Sequence, residues 1–403
     1  MIQLVITEYE GGVAEALFED HDLRELTFPD SGLKTGDFVT GRVENTIPSL
    51  SCAFIEIEKG VKAYYSFKDN KRHHYLNGKE QDRLPVQGDL MLVQIEREPM
   101  KTKPYTVTSD LSLTGRSLVL VTDSDKVHIS KKIRKSDAIL ALKKELEELS
   151  NESGFGFIVR TNAESIGTKE TLKEAERLIK EFSESLKYAS HNTAFKKIYS
   201  APSHFVKRLQ SLPESEIEKV ITDIPSVYAE LQSNFGGTGM NLQFFEDDSI
   251  SLTNLYSLSS GIDHALRRVV RLKSGASIVI DPTEALTAID VNTGKSTDKK
   301  KHETMEEAVL RTNLEASKEI LKQLRLRNIS GMILVDFINM KRDSSVKKLL
   351  TVMSDCAKND PIQTDVLDMT RLGLVEITRK KEGRNIYESK RRGILQRDVS
   401  ENS

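Results

Sequence analysis

Residues 283–295 read TEALTAIDVNTGK, and residues 332–338 read MILVDFI. Strand side chains alternate, so Leu286, Ala288, Asp290 and Asn292 share one face of a strand, which sets a carboxylate beside an amide at the strand's end. The preceding SIVID (277–281) reads as a partner strand, joined through the turn residue Pro282. MILVDFI is a continuous apolar run broken only by Asp336, and a carboxylate inside a buried strand is costly unless it is paired, protonated or bound to a metal. Between the two stretches, Met305, Val309, Leu314, Ala316, Ile320 and Leu324 mark a long helix over 303–327 that ends near Asn328 and Gly331. A strand–helix–strand connection of this kind lets the two strands neighbour each other and brings Asp290 and Asp336 together. Two carboxylates with no histidine or cysteine nearby are a hard oxygen set, which selects Mg2+ or Mn2+ and leaves positions for water and phosphate oxygens. That is the minimum for metal-assisted phosphodiester cleavage. The plainer alternative is that each aspartate caps a turn or pairs with one of the abundant lysines and arginines. The loop NTGKSTDKKK (292–301) contains TGKS, but a phosphate loop needs a glycine where Ile289 stands, which argues against an NTPase.

Working towards the N-terminus, residues 205–270 alternate strand and helix patterns (EIEKVITDI, SVYAELQSNF, NLQFFED, IDHALRRVVRL) around a GGTG turn at 236–239. Residues 1–34 offer only short strands, too little to hold a core alone, and 205–270 could supply their partner. The segment GDFVTGRVENTIPSLSCAFIEIEKGVKAYYSFKD, followed by DLMLVQIE and YTVTSDLSL, gives five short strands, the count of a small closed barrel. Its GDxVxGxV opening resembles the S1 version of the oligonucleotide-binding barrel. Such barrels stack bases on aromatic rings beside cations, and Phe54, Tyr64 and Lys103 are the candidates; Phe54 could equally be an ordinary core residue. A lobe follows: a helix over 136–149 with Ile139, Leu142, Leu146 and Leu149 on its stripe, a strand in GFGFIVRT (154–161), and a helix over 168–188.

The whole chain of 403 residues has room for about three domains. With 38% hydrophobic and 30% charged residues it has an ordinary soluble composition, and no apolar run approaches the roughly 18 residues of a membrane span. MIQLVITEYEGG has neither a basic n-region nor a cleavage site, so a cytoplasmic protein is expected. Cys52 and Cys356 stand far apart without a CxxC pair, and His73 and His74 have no partners at ligand spacing, so no structural zinc is expected. The net charge of −2 argues against a protein that coats itself in nucleic acid.

TEALTAIDVNTGK, the helix-borne TNLEASKEILKQLRLRNISGMILVDFINM (312–340) and GLVEITRKK (373–381) together resemble the catalytic core of the ribonuclease E/G family. The similarity extends through VENTIPSLSCAFIEI (43–57), HISKKI (128–133), VRT (159–161) and RLKSGASIVID (271–281). It implies an α+β multidomain fold: an S1 barrel (35–117) inserted in a ribonuclease-H-like subdomain (1–34 and 205–270), a 5′-phosphate sensor lobe (118–204), a DNase-I-like catalytic subdomain (271–392) and a polar tail (393–403). By position it makes Asp290 and Asp336 metal ligands and gives Asn292 the scissile phosphate. It implies a Mg2+-activated water (Mn2+ as the substitute) attacking phosphorus in single-stranded RNA, leaving 5′-phosphate and 3′-hydroxyl ends. Arg160 and Thr161, with backbone amides near Gly115 and Val119, would hold a 5′-monophosphate, and Lys131 and Lys132 would extend the basic path. Two departures stand out. The second aspartate of the family's DFIDM motif is Asn339, and the paired-cysteine zinc link is missing before the final KRRGILQRDVSENS, so zinc-dependent dimerisation is not carried over and any homodimer would form without it.

The leading expectation is therefore an endoribonuclease of mRNA decay and ribosomal RNA processing. A non-catalytic RNA-binding factor using the barrel and sensor lobe is the alternative; a metal-dependent DNA nuclease would share the carboxylates but gain nothing from the barrel. Retention of Asp290, Asn292 and Asp336 favours the enzyme.

Overall fold

The computed structural model describes residues 1–29, 32–76, 78–99, 103–134, 136–294 and 304–389. Lys295 and Ser296 of TGKS and the tail expected at 393–403 lie outside the described residues. The chain forms two compact units of mixed α and β structure, Met1–Asp30 with Leu212–Ser403, and Ser31–Ser211. The unit boundary at Ser211 places the helix His204–Ser211 with the barrel and lobe.

In the first unit, a five-stranded sheet has the order Leu242–Phe244, Ile217–Thr222, Ile2–Tyr9, Gly12–Glu19, Asp22–Thr27. Ile2–Tyr9 pairs in parallel with Ile217–Thr222, so the short N-terminal strands find their partner beyond the entire second unit. Two tight hairpins fold this edge: Glu10 and Gly11 turn the first, Asp20 and His21 the second, all at positive φ, the backbone that matches the strands' twist.

A six-stranded sheet with the order Val269–Arg271, Ser277–Pro282, Leu286–Asn292, Gly331–Asp336, Leu374–Arg379, Thr364–Met369 completes this unit. One face is covered by the helices Met305–Leu326 and Asp343–Ala357, whose Ala316, Ile320, Leu324, Leu349 and Met353 pack against Ile278, Ile289, Ile333, Val335 and Ile377. Thr304 opens the longer helix with a reciprocal capping box to Glu307, satisfying two backbone donors at once. The opposite face carries the alternate residues, and here one expectation is corrected. Asp336 is exposed at the end of its strand; Ile333, Val335 and, just beyond the strand, Phe337 of MILVDFI point into the core, while Met332 is 56% exposed.

In the second unit, Phe38–Ile47, Cys52–Glu58, Val61–Ser66, Tyr105–Thr108 and Leu90–Arg97 form a closed five-stranded ring, sealed by antiparallel pairing of the first with the last. Gly41 sits in that seam, where a Cβ would come within 2.5 Å of Ile55 Cγ2 and 2.9 Å of the Glu56 carbonyl. Val43, Ala53, Ile55, Ala63, Met91, Val93 and Val107 fill the barrel. Asp37 of the GD motif is fully buried and binds the Ala201 amide at 2.8 Å and Lys197 at 3.0 Å, tying the barrel to the segment that follows the lobe. Tyr65 reaches His73 Nδ1 at 2.5 Å and Ser109 Oγ at 2.6 Å, which anchors the polar insert after Ser66 to the barrel wall.

The lobe is a four-stranded sheet ordered Ser112–Thr114, Leu118–Val121, Gly156–Val159, Val127–Ile129. The helices Asp137–Ser153 and Thr168–Ser190 bury Leu142, Leu146, Leu178 and Phe182 against it. Ser136 caps the first by accepting from the Ile139 amide, and Gly154 ends it in the left-handed conformation. No helix among the described residues is long and apolar enough to cross a membrane.

Candidate active site

Leu286–Asn292 and Gly331–Asp336 are parallel neighbours, and Asp290 and Asp336 are direct partners in that register. In-register residues share a face, here the one opposite the helices, and both aspartates are exposed. Asn292 lies on the same face, two residues on, and its Nδ2 donates to Asp290 Oδ2 at 2.7 Å. Alternation in the sequence places Thr287, Ile289 and Val291 underneath, which fixes which side these polar groups take.

Two carboxylates held on adjacent strands repel each other, and among the described residues no lysine or arginine pairs with either. Among the described residues, neither Asp290 nor Asp336 accepts a backbone N–H of a turn. The donor set is oxygen only, open to solvent on one side, and fits a hard divalent cation that keeps water in its shell. No cluster of three or more His, Cys, Asp or Glu is gathered as a metal cage among the described residues.

The loops around the carboxylates are fixed by groups that periodicity does not single out. Gly294 has φ +51°, and a Cβ there would lie 2.3 Å from the Gly275 carbonyl, so the glycine of TGK permits close passage of two chain segments just beyond Asn292. Asn313, fully buried on the long helix, donates to the Ile338 carbonyl at 2.8 Å and accepts its N–H at 3.2 Å, which sets the backbone immediately after Asp336. Glu306 accepts from the backbone N–H groups of Lys341 and Arg342, and those bonds hold its carboxyl below the usual range. Asn339, which replaces the second aspartate of the family motif, is exposed.

On the barrel, Phe54 and Tyr64 are cross-strand partners with ring centroids 6.2 Å apart, edge to face. Both are half-buried, whereas Ala53 and Ile55 are fully buried, so Phe54 stands on the barrel wall and outside the buried core. Register extends the pair into a row across five strands: Asn45, Phe54, Tyr64, Thr106 and Arg97. Arg97 is 76% exposed at the row's end, and only the strand pairing, invisible in the linear sequence, adds Asn45, Thr106 and Arg97 to it. Lys103 is exposed, two residues before the strand Tyr105–Thr108.

In the lobe, Arg160 ends the strand Gly156–Val159 half-buried; its Nη1 donates to the Gly115 carbonyl at 2.6 Å and its backbone N–H to the Ser117 carbonyl at 2.8 Å. Gly115 is buried and spends its own N–H on the Leu118 carbonyl at 2.8 Å. Val119 lies between Thr114 and Ile158 in the sheet, and Thr161 is exposed beside Arg160. Lys131 and Lys132 are exposed in the turn after Val127–Ile129.

Comparison with known proteins gives concordant matches. The model of the ribonuclease E/G family matches residues 112–382. Ribonuclease E of Synechocystis sp. is 32% identical over 396 residues, covering 96% of this chain and 58% of that protein. Ribonuclease G of Haemophilus influenzae is 30% identical over 380 residues, covering 91% of this chain and 77% of that protein. Ribonuclease G of Escherichia coli (strain K12) is 28% identical over 389 residues, covering 94% and 77%. The chain thus spans a little over half of the Synechocystis relative and about three quarters of the other two.

Proposed function

The chain belongs to the ribonuclease E/G family, and on that premise we propose that it is an endoribonuclease that cuts single-stranded RNA at Asp290, Asn292 and Asp336. The observation that carries the proposal is the direct register of Asp290 with Asp336, with Asn292 bonded beside them on an open sheet face. Asp290 and Asp336 would hold Mg2+, with Mn2+ as a substitute. When bound, the ion supplies Lewis acidity for the attacking water and for the charge on the phosphorus oxygens. Asn292, oriented through its bond to Asp290, presents its amide to the scissile phosphate and leaves its own carbonyl free. Cleavage in this sense gives 5′-phosphate and 3′-hydroxyl products.

The barrel supplies capture: a base can stack on the half-buried Phe54 or Tyr64, with Lys103 near the RNA's phosphates. The lobe supplies end recognition, Arg160 and Thr161 offering a planar cation and a hydroxyl to a 5′-monophosphate. The division of labour follows an S1 barrel at 35–117, a sensor lobe at 118–204, ribonuclease-H-like pieces at 1–34 and 205–270, and a DNase-I-like catalytic part at 271–392. The setting is cytoplasmic mRNA decay and ribosomal RNA processing. Incubating the protein with 5′-monophosphorylated single-stranded RNA and the matching DNA, in Mg2+ or in EDTA, tests this. Cleavage of RNA only, and only with the metal, is expected; binding without cleavage in Mg2+ and in Mn2+ would instead leave an RNA-binding factor.

A further inference from the structure

Glu174 lies on the helix Thr168–Ser190 and belongs to none of the motifs. Its carboxylate gathers three donors from one turn. Oε1 accepts the Arg116 backbone N–H at 2.7 Å, and Oε2 accepts the Ser117 backbone N–H at 2.8 Å and the Ser117 hydroxyl. The fit is close enough to dictate the neighbouring residue, since a Cβ on Gly115 would lie 2.5 Å from Glu174 Oε1. The side chain is 13% exposed, with Arg177 at 3.7 Å on its outer side. That same turn grips Arg160 twice, at its guanidinium through the Gly115 carbonyl and at its backbone through the Ser117 carbonyl. The contacts therefore run without a gap from Glu174, through residues 115–117, to Arg160 and the adjoining Thr161.

We propose that Glu174 is the positioning residue of the 5′-end pocket: it fixes the turn that aims the Arg160 guanidinium, and so sets the preference for a terminal monophosphate. This role rests on Arg160 and Thr161 forming that pocket. A guanidinium recognises phosphate through a planar fork, which rewards a fixed orientation, and a long side chain left unsupported loses that orientation first. The Glu174 charge is consumed by its three donors, so it holds the turn in place without standing as an unsatisfied anion against an incoming phosphate.

The test measures kcat/KM on one single-stranded RNA carrying either a 5′-monophosphate or a 5′-hydroxyl, for the wild type, Arg160→Ala, Glu174→Ala, Glu174→Gln and the Arg160→Ala/Glu174→Ala double variant. The wild type should favour the monophosphate, and Arg160→Ala should abolish the preference. Glu174→Ala should lower the monophosphate-to-hydroxyl ratio by about tenfold, the scale of a small misplacement of a binding group. Glu174→Gln keeps one acceptor oxygen and should retain part of the ratio. The double variant should be no worse than Arg160→Ala, because both act through one group. A wild type without preference overturns the pocket and this role together. Preference lost in Arg160→Ala but kept in Glu174→Ala overturns the role of Glu174 alone. Equal losses on both RNAs in Glu174→Ala and Glu174→Gln, with lowered melting temperatures, would make Glu174 a fold residue and also overturn it.

Discussion

Replacing Asp336 by asparagine should make the protein more stable without metal and less stable with it. Asp336 and Asp290 face each other directly on strands that run about 4.8 Å apart, so two like charges about 5 Å apart interact through largely aqueous surroundings. Coulomb's law in a water-like dielectric gives a repulsion of about 0.8 kcal/mol, inside the roughly 0.2–1 kcal/mol range of cross-strand charge pairs. In EDTA the Asp336→Asn variant should therefore melt about 1–3 °C above the wild type. With Mg2+ at about 100 times its dissociation constant, the wild type should gain about 2.7 kcal/mol by mass action, while the variant, whose amide ligates poorly, gains little. The order of melting temperatures then inverts. Thermal unfolding in EDTA and across a Mg2+ titration reads this directly, and cleavage and fluorescence-anisotropy binding on the same RNA complete it: cutting should vanish while binding persists. A variant that melts below the wild type in EDTA would refute the repulsion, and an undiminished Mg2+ shift would refute ligation by Asp336.

Phe54→Ala should weaken single-stranded RNA binding by roughly 1–3 kcal/mol while leaving the melting temperature nearly unchanged, because the ring is only half-buried; a large drop in melting temperature with unaltered affinity would return Phe54 to the core. Gly294→Ala forces a Cβ to within 2.3 Å of the Gly275 carbonyl at φ +51°, which should cost at least about 1–2 kcal/mol of stability and slow cleavage by displacing Asn292; wild-type turnover would argue against it. Burial, aided by the neighbouring positive groups of His73 and Arg72, pushes His74 down to about 4, below its value of about 6.5 when unfolded. The unfolded chain then binds the proton more readily, so this contribution to stability is complete above about pH 6.5 and is lost as pH falls towards about 4; His74→Gln should flatten acid unfolding over that interval.

The alternation in EALTAIDVN was enough to place Asp290 and Asn292 on one strand face, and the apolar stripe of the intervening helix was enough to make the next strand a parallel neighbour. Asp336 was harder to read. Met332 and Leu334 are apolar on an uncovered face, which disguises the period-two pattern of MILVDFI as a strand buried on both sides. Asn313 and Glu174 were illegible for a different reason: each works by bonding a backbone segment brought near only by packing, and nothing in a helical stripe distinguishes such a residue from a surface polar one. The row from Asn45 to Arg97 depends on barrel register, which local turn residues do not encode.

The parallel pairing of Ile2–Tyr9 with Ile217–Thr222 has a consequence for synthesis. The hairpin edge emerges from the ribosome roughly 200 residues before the strand that completes its sheet, a delay of about 10–40 s at 5–20 residues per second. The inserted unit, Ser31–Ser211, is wholly translated within that interval and holds its own barrel and lobe cores, so it can fold while the first strands still wait for their partner. The nascent chain therefore carries one unmatched parallel edge for about half of its translation, the stage at which a chaperone or a second nascent chain would meet it.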